Sequence, residues 1–363
     1  MGALQPHTIV KHLILRRYLQ AWYPILSRSV GNRSGEGHEI LYLDGFAGPG
    51  VYVDGTPGSP AIALDVFLDH PTPLPVPVRA VFVERSRKKW RSLRTYLDTR
   101  RQAVEASGRV LLGDPVNEDS TDTIDQLLQA QESGGKGYSA AFLFLDQFGY
   151  SQVPIELIGR AMRNPSFETF VLVHYRNINR FLSDRTKWPG VTRLYGGERW
   201  KPALRMRPAE REPFLLAEYE AALKEDAAVR HVFPYRIADR GDKPLHWLVF
   251  CTNNLHGLRE MKQSMMGVNP EGGFRFSDRR GLQGSLFDKK PNTRELAAVL
   301  ATQLAGQTLS VGQIEAFVLE HTSSVTFKRA LALLRKEGKI AVPNALPDWN
   351  GSFSDEYLLV RFQ

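Results

Sequence analysis

Tyr42-Leu43-Asp44-Gly45-Phe46-Ala47-Gly48-Pro49-Gly50 joins the apolar run Ile40–Leu43 to an acid and three glycines. A buried parallel strand that feeds a ligand loop is written this way. Glycines there allow a tight turn and close approach of backbone to ligand, with a helix N-terminus nearby. The order is G-x-x-G-x-G, not the G-x-G-x-x-G of a dinucleotide fold, and the Gly-Lys-Ser/Thr of a phosphate loop is missing. NAD chemistry is correspondingly disfavoured.

The same pattern recurs outward from this block. Val78–Glu84, Arg109–Asp114 and Ala140–Asp146 are three more β-rich runs ending in acids. Helical segments lie between them, at Ala61–Leu68, Ser86–Thr99 and Thr121–Ala130, and a helix over residues 8–27 precedes them. Phe167–Tyr175 and Leu245–Thr252 read as later strands, with Val232–Ala238 as an antiparallel neighbour. Alternation of this kind predicts an α/β fold with a doubly wound, Rossmann-like sheet. Ligand is then expected at the carboxyl ends of the strands, where Asp44, Glu84, Asp114 and Asp146 fall.

A strand-end acid followed by a small-residue loop is the type used by S-adenosylmethionine enzymes. The residues expected to bind that cofactor are Asp44, Gly45, Phe46, Ala47, Gly48 and Gly50, with Glu84 toward the ribose and Asp114 toward the adenine amino group. A single such acid is equally well a capping or turn residue; four on successive strands are harder to assign that way. Asp146-Gln147-Phe148-Gly149-Tyr150 occupies the place of the Asp/Asn-Pro-Pro-aromatic loop of nucleobase amino-methylating enzymes. Asp146 would accept a hydrogen bond from the attacked amino group, and Phe148 or Tyr150 would stack on the base. The alternative is that Asp146 caps a helix beginning near Pro154. His174, Tyr175, Arg176 and Asn177 end the next strand and are expected to hold the acceptor, or to be surface polar residues. Phe46-Ala47-Gly48 also matches cytosine-C5 methyltransferases, but their nucleophile is a loop cysteine. The single cysteine, Cys251, follows Phe250 within a late strand, so that chemistry is excluded, as is a Cys-cluster metal site. No H-E-x-x-H pair or Gly-x-Ser-x-Gly elbow occurs.

Residues 7–280 resemble the three-Cys-motif partner protein family. The matching residues are His7-Thr8, Lys11-His12, Tyr18-Leu19-x-x-Trp22, Tyr42–Gly50, Gly58-Ser59-Pro60, Phe144-Leu145-Asp146-x-Phe148-Gly149, Met261-Lys262 and Gly273-Phe274-x-Phe276-Ser277-Asp278. The resemblance implies a class I methyltransferase-like fold and a partner protein that carries the three cysteines. This chain departs from the family's Asp-Pro-Phe-Gly by having Gln147, which leaves the loop less stiff.

The remaining sequence sets the organisation. At 363 residues, 24% charged and 42% hydrophobic, the chain has a globular composition and the length of two domains or one with an appendage. Four segments are expected: an N-terminal helical extension (1–36), the methyltransferase core (37–268), a Gly- and Ser-rich arm (269–292) and a C-terminal domain (293–363). The last shows helices at 293–304, 311–320 and 322–337, the third capped by Ser323 or Ser324. A two-stranded wing at 339–342 and 357–360 follows, a winged-helix-like outline. No apolar run approaches the ~20 residues of a membrane helix, and the first residues lack a leader pattern, so no membrane partner and a cytoplasmic location are expected. Forty-seven Lys and Arg against 39 Asp and Glu give +8, compatible with anionic partners. Arg85, Arg87, Lys88, Lys89, Arg91 and Arg94 cluster on the helix after Glu84, and a second set of basic residues interleaves with Phe181, Trp188, Tyr195 and Trp200 after the fifth strand, as suits a nucleotide or nucleic acid, or a solvated face. The leading expectation is an N- or O-methyltransferase for a nucleotide-type acceptor, free or in a polymer. The alternative is a non-catalytic nucleic-acid- or partner-binding protein on the same scaffold.

Overall fold

Eight strands form one sheet: β1 (Ile40–Asp44), β2 (Val78–Phe82), β3 (Val110–Leu112), β4 (Ala140–Leu145), β5 (Phe167–Val173), β6 (His231–Ala238), β7 (Pro244–Thr252) and β8 (Arg275–Ser277). Their order is β3-β2-β1-β4-β5-β7-β6-β8. The first five are parallel, β7 runs antiparallel between β5 and β6, and β8 joins β6 in parallel. Strand order reverses between β1 and β4, the switch point where such sheets open a crevice. The computed structural model describes residues 6–32, 39–134, 137–147, 149, 152–239, 241–268, 275–277, 292–322, 324–346 and 349–363.

Nine helices accompany the sheet among these residues: α1 (Pro6–Gly31), α2 (Ser59–Leu68), α3 (Arg87–Ser107), α4 (Ser120–Glu132), α5 (Ile155–Met162), α6 (Tyr175–Phe181), α7 (Trp188–Leu194), α8 (Pro208–Glu225) and α9 (Leu255–Met266). Period-two alternation sorts the strand side chains between two faces. Odd-numbered Leu41, Leu43, Leu143, Val171, Val249 and Cys251 join an aliphatic cluster with Ile155, Ile158, Leu215 and Tyr219. Even-numbered Tyr42, Phe142, Phe170 and Phe250 stack among themselves on the other face. Tyr18 and Trp22 of α1 close that aromatic layer, with Tyr18 5.1 Å from Phe142 between ring centroids. The N-terminal helix is therefore a layer of the core. Its 26 residues contain Pro24.

A second compact unit contains the described residues from 292 onward. Its elements are α10 (Thr293–Gln303), β9 (Thr308–Ser310), α11 (Val311–His321), α12 (Lys328–Lys336), β10 (Ile340–Ala341) and β11 (Leu359–Phe362). Leu300, Ile314, Val318, Leu331, Leu334 and Val360 belong to its own core.

Three expectations are corrected. The arm is not only a connector, because Arg275–Ser277 pairs with β6. The wing has three strands, since β9 adds to β11. The third helix starts at Lys328, after Phe327. Ser324 bonds both the N–H and the carbonyl of Thr326, and this local turn competes with helix there. Ser323 lies outside the described residues. No helix among the described residues is long and apolar enough to cross a membrane.

Candidate functional site

The glycine loop is held between neighbouring strands. Gly45 N–H donates to Phe144 O and Ala47 N–H to Val83 O, both at 2.9 Å. A Cβ on Gly45 would lie 2.3 Å from Ser120 Oγ and 3.0 Å from Leu145, so any side chain there requires both neighbours to shift. Gly48 and Gly50 adopt φ of 68° and 81°, the left-handed region that favours glycine. The loop does not enter a helix directly. Residues 51–58 make a turn closed by the Val51–Pro57 bridge, and α2 starts only at Ser59.

Two acids organise this loop from inside. Glu84, 6% exposed, accepts from Gly48 N–H at 2.9 Å and from Ser86 N–H at 2.7 Å. Asp44 is fully buried; its Oδ1 accepts from Phe46 N–H at 3.2 Å, and its Oδ2 has no partner in hydrogen-bond geometry. Burial pushes the Asp44 carboxyl up to about 7, opposed by the nearby Ser59 hydroxyl and the Phe46 N–H. A cleft of about 470 Å³ opens beside them, lined by Gly45, Phe46, Glu84, Asp119, Ser120 and Gln152 among others. Small-molecule sites are commonly this size.

Asp114 does not line this cleft. It is 65% exposed and pairs with Arg101 of α3 at 2.8 Å. Asp119 reaches the cleft instead, its Oδ1 capping α4 through Thr121 N–H. β3 ends at Leu112, two residues before Asp114, and the following loop brings Asp119 to the cleft.

Asp146 stands at the end of β4, and the structure gives it a partner that motif reasoning did not supply. Lys11 Nζ of α1 lies 2.8 and 2.6 Å from its two carboxylate oxygens, with the lysine side chain 8% exposed. Asp146 does not cap the next helix, whose N-cap is Pro154. Gln147 does not loosen this loop either. Its side-chain amide donates to Leu172 O at 3.0 Å, and its Oε1 accepts from Gln152 and Val153 N–H at 2.9 and 3.1 Å. Hydrogen bonds replace the restraint that proline would provide. Phe148 and Tyr150 lie outside the described residues.

The expected acceptor residues separate. His174 Nε2 donates to Gln147 O at 2.7 Å, which ties the N-cap of α6 to the Asp146 loop. Tyr175 is 3% exposed and packs 5.0 Å from Trp247, so it is a core residue. Arg176 is exposed and Asn177 half-buried on α6. His246, unforeseen, packs on His174 with ring centroids 4.5 Å apart, and His7 lies 5.5 Å from His246. Burial, then the charges of His174 and Lys11, depress His246 to about 2. Burial, then Lys11, lowers His12 to about 4. His246 and His12 are therefore neutral at pH 7. Tyr52 of the 51–58 turn is pushed to about 12 by burial, then by Asp146 and Asp44. Among the described residues no group of three His, Cys, Asp or Glu could hold a metal ion. Cys251 is fully buried, its thiol pushed up to about 12 by burial, and belongs to the core.

The sheet is a doubly wound, Rossmann-like α/β sheet. No family model and no curated protein matches the chain. Among solved structures it is similar to protein LPL1258 of Legionella pneumophila str. Philadelphia 1, of family model DUF519. That likeness has 11% identity and a TM-score of 0.35 over 69% of this chain and 86% of the other. It is also similar to the DszA carbon methyltransferase, with 12% identity and a TM-score of 0.29 over 63% of this chain and 51% of that one. Likeness of this degree carries no argument about chemistry, which rests on the residues above.

Proposed function

We propose that this chain is an S-adenosylmethionine-dependent methyltransferase acting on an N or O atom of a nucleotide-type acceptor. One observation carries the reading: a fully buried carboxyl group, Asp44, keeps an oxygen without a partner in hydrogen-bond geometry beside a glycine loop in which Gly45 and Gly50 leave little room for a Cβ. An orphaned buried acceptor is costly unless a ligand donor completes it, and a cationic amino group fits it. The residues that would hold the cofactor are Asp44, the Gly45–Gly50 loop and Glu84, with Asp119 farther along the cleft. Bound there, the cofactor supplies an electrophilic methyl group.

The chain's own residues then bind and orient the acceptor. Asp146 accepts a hydrogen bond from the attacked group, and His174 buttresses its loop through Gln147 O. Most of the rate comes from positioning. The resemblance to the three-Cys-motif partner family supports the same scaffold and makes a three-Cys-motif protein the proposed partner. The winged-helix-like C-terminal unit is the proposed docking module.

The Lys11–Asp146 ion pair favours a second reading, a non-catalytic nucleic-acid- or partner-binding protein on this scaffold, because it occupies the catalytic acceptor. Calorimetry with S-adenosylmethionine and S-adenosylhomocysteine tests the first reading. Binding is expected, with Glu84→Ala weakening it ten- to a hundredfold, about 1.5–3 kcal/mol for a hydrogen bond to a charged group. Folded protein with no affinity for either ligand would overturn it. Binding without transfer to any nucleotide, RNA or DNA acceptor would leave the second reading.

A further inference from the structure

Two stretches of this protein are strongly basic, residues 85–101 and residues 175–207. Residues 175–207 contain nine Lys or Arg against two acids, an excess of seven, where the whole chain's excess is eight. Three of the nine are neutralised: Arg199 by Glu225 and Asp226, Lys201 by Glu198, and Arg207 by Glu210. Arg176, Arg180, Arg185, Arg193 and Arg205 are exposed and form no ion pair among the described residues. The stretch on α3 is comparably basic, with Arg100 paired to Asp65 of α2 and Arg101 to Asp98; the 175–207 stretch differs in lining a groove with an aromatic wall.

Aromatic faces accompany the free cations. Arg180 lies over Phe181 at 5.7 Å and Arg185 over Trp188 at 5.5 Å from the ring centroids. Phe181 and Trp188 are both half-buried. A groove of about 600 Å³ has Arg185, Trp188 and Arg193 in its walls, together with Lys201 and its ion-pair partner Glu198 and with Glu156, room for a base beside two guanidinium groups. Five unpaired cations here are all arginine, whose planar fork suits phosphate and stacks on rings. The stretch starts at the Asp146 end of the sheet, where His174 caps α6 and bonds Gln147 O.

We propose that α6, α7 and their connection form a track for the phosphate backbone of a single-stranded nucleic acid, with Trp188 as a stacking face. It rests on the reading of the Asp146 end as the acceptor side and makes that acceptor a residue within a polymer. A single strand is the occupant because stacking platforms flanked by cations take unpaired bases, and a base must leave a duplex to reach a recessed carboxylate.

The test is fluorescence anisotropy of the full chain with short labelled single-stranded RNA and DNA and a matching duplex, without cofactor, between about 50 and 200 mM salt. Salt-dependent binding that favours a single strand of either sugar is expected. Arg180→Gln/Arg185→Gln/Arg193→Gln should weaken it at least tenfold and lower the salt slope by about 2, near 0.7 for each phosphate contact. Arg87→Gln/Arg91→Gln/Arg94→Gln on α3, equally exposed, should leave affinity within about twofold. Equal loss in both triple variants, an unchanged slope, or a duplex bound as tightly as the single strand overturns the proposal. Cofactor affinity measured on the same proteins separates the two claims: oligonucleotide binding lost with cofactor binding intact sinks only the track, and the reverse sinks only the methyltransferase reading.

Discussion

Lys11 and Asp146, 135 residues apart, meet in a two-pronged ion pair of 2.8 and 2.6 Å that joins the N-terminal helix to the end of β4. Seven residues along the same helix, Tyr18 donates to Glu168 Oε2 at 2.6 Å at the opposite end of β5. Two turns of one helix face thus reach an acid at either end of the adjacent central strands β4 and β5. The Lys11–Asp146 pair sits in the candidate site, and under the proposed function an acceptor amino group would have to displace or share Lys11 to bond Asp146.

Removing one partner of that pair leaves a charge with little solvent. Lys11→Ala is expected to cost roughly 3 kcal/mol, the low end for a buried pair because Asp146 retains some exposure. A double-mutant cycle with Asp146→Asn, followed by urea melts, measures the coupling. Near-additive single costs would show that the pair holds nothing. In transfer assays Asp146→Ala is expected to abolish turnover while leaving cofactor affinity nearly intact.

Gly45→Ala places a methyl group against Ser120 Oγ and Leu145. A loss of about 1–3 kcal/mol is expected from overpacking, together with weaker ligand binding, since Ser120 lines the cleft. Adding Ser120→Ala removes the closest atom and should recover part of both losses. Calorimetry and thermal melts on the single and double variants check this; no recovery would place the clash elsewhere.

Stability should depend on pH in two opposed ways. Burial holds Asp44 and Glu168 at about 7, above the ordinary carboxylate range, so between about pH 4 and 7 the folded state keeps protons that the unfolded chain releases. Stability therefore falls as pH rises through that window. His12 and His246 are depressed, so the unfolded chain binds more protons below about 6.5 and stability is lost on acidification. Glu168→Gln should flatten the first trend and spare the second. Urea melts from pH 4 to 8 decide; an unchanged pH profile in the variant would contradict the assignment.

Deleting residues from Thr293 onward is expected to leave a folded core, because β8 is retained and the second unit closes its own apolar cluster. Residues 292–363 should fold alone by circular dichroism. Residues 288–363 contain nine Lys or Arg and eight acids, so the unit should show little salt-steep oligonucleotide binding. Aggregation of the shortened core would show instead that the two units share a core.

Cys251 should resist thiol reagents in the native protein and react only on unfolding, since its buried thiol stays protonated and the thiolate is the reactive form. Fast labelling of native protein would contradict its place in the core.

Strand–helix alternation, the glycine loop and the acids closing β1, β2 and β4 were legible in the sequence because each is local: period two, glycine conformational freedom and strand-end position act within a few residues. The third helix was misjudged at its start because Ser324 satisfies its own neighbours rather than the helix. Asp114 and Tyr175 were misplaced because their direction depends on where the next loop or helix turns, not on their spacing. What only the tertiary structure decided was the pairing of distant groups: Lys11 with Asp146, Tyr18 with Glu168, Gln147 with Leu172 and Val153, His174 with His246. Buried charges and amides must find partners wherever the packed chain brings them, and no periodicity in the sequence records that meeting.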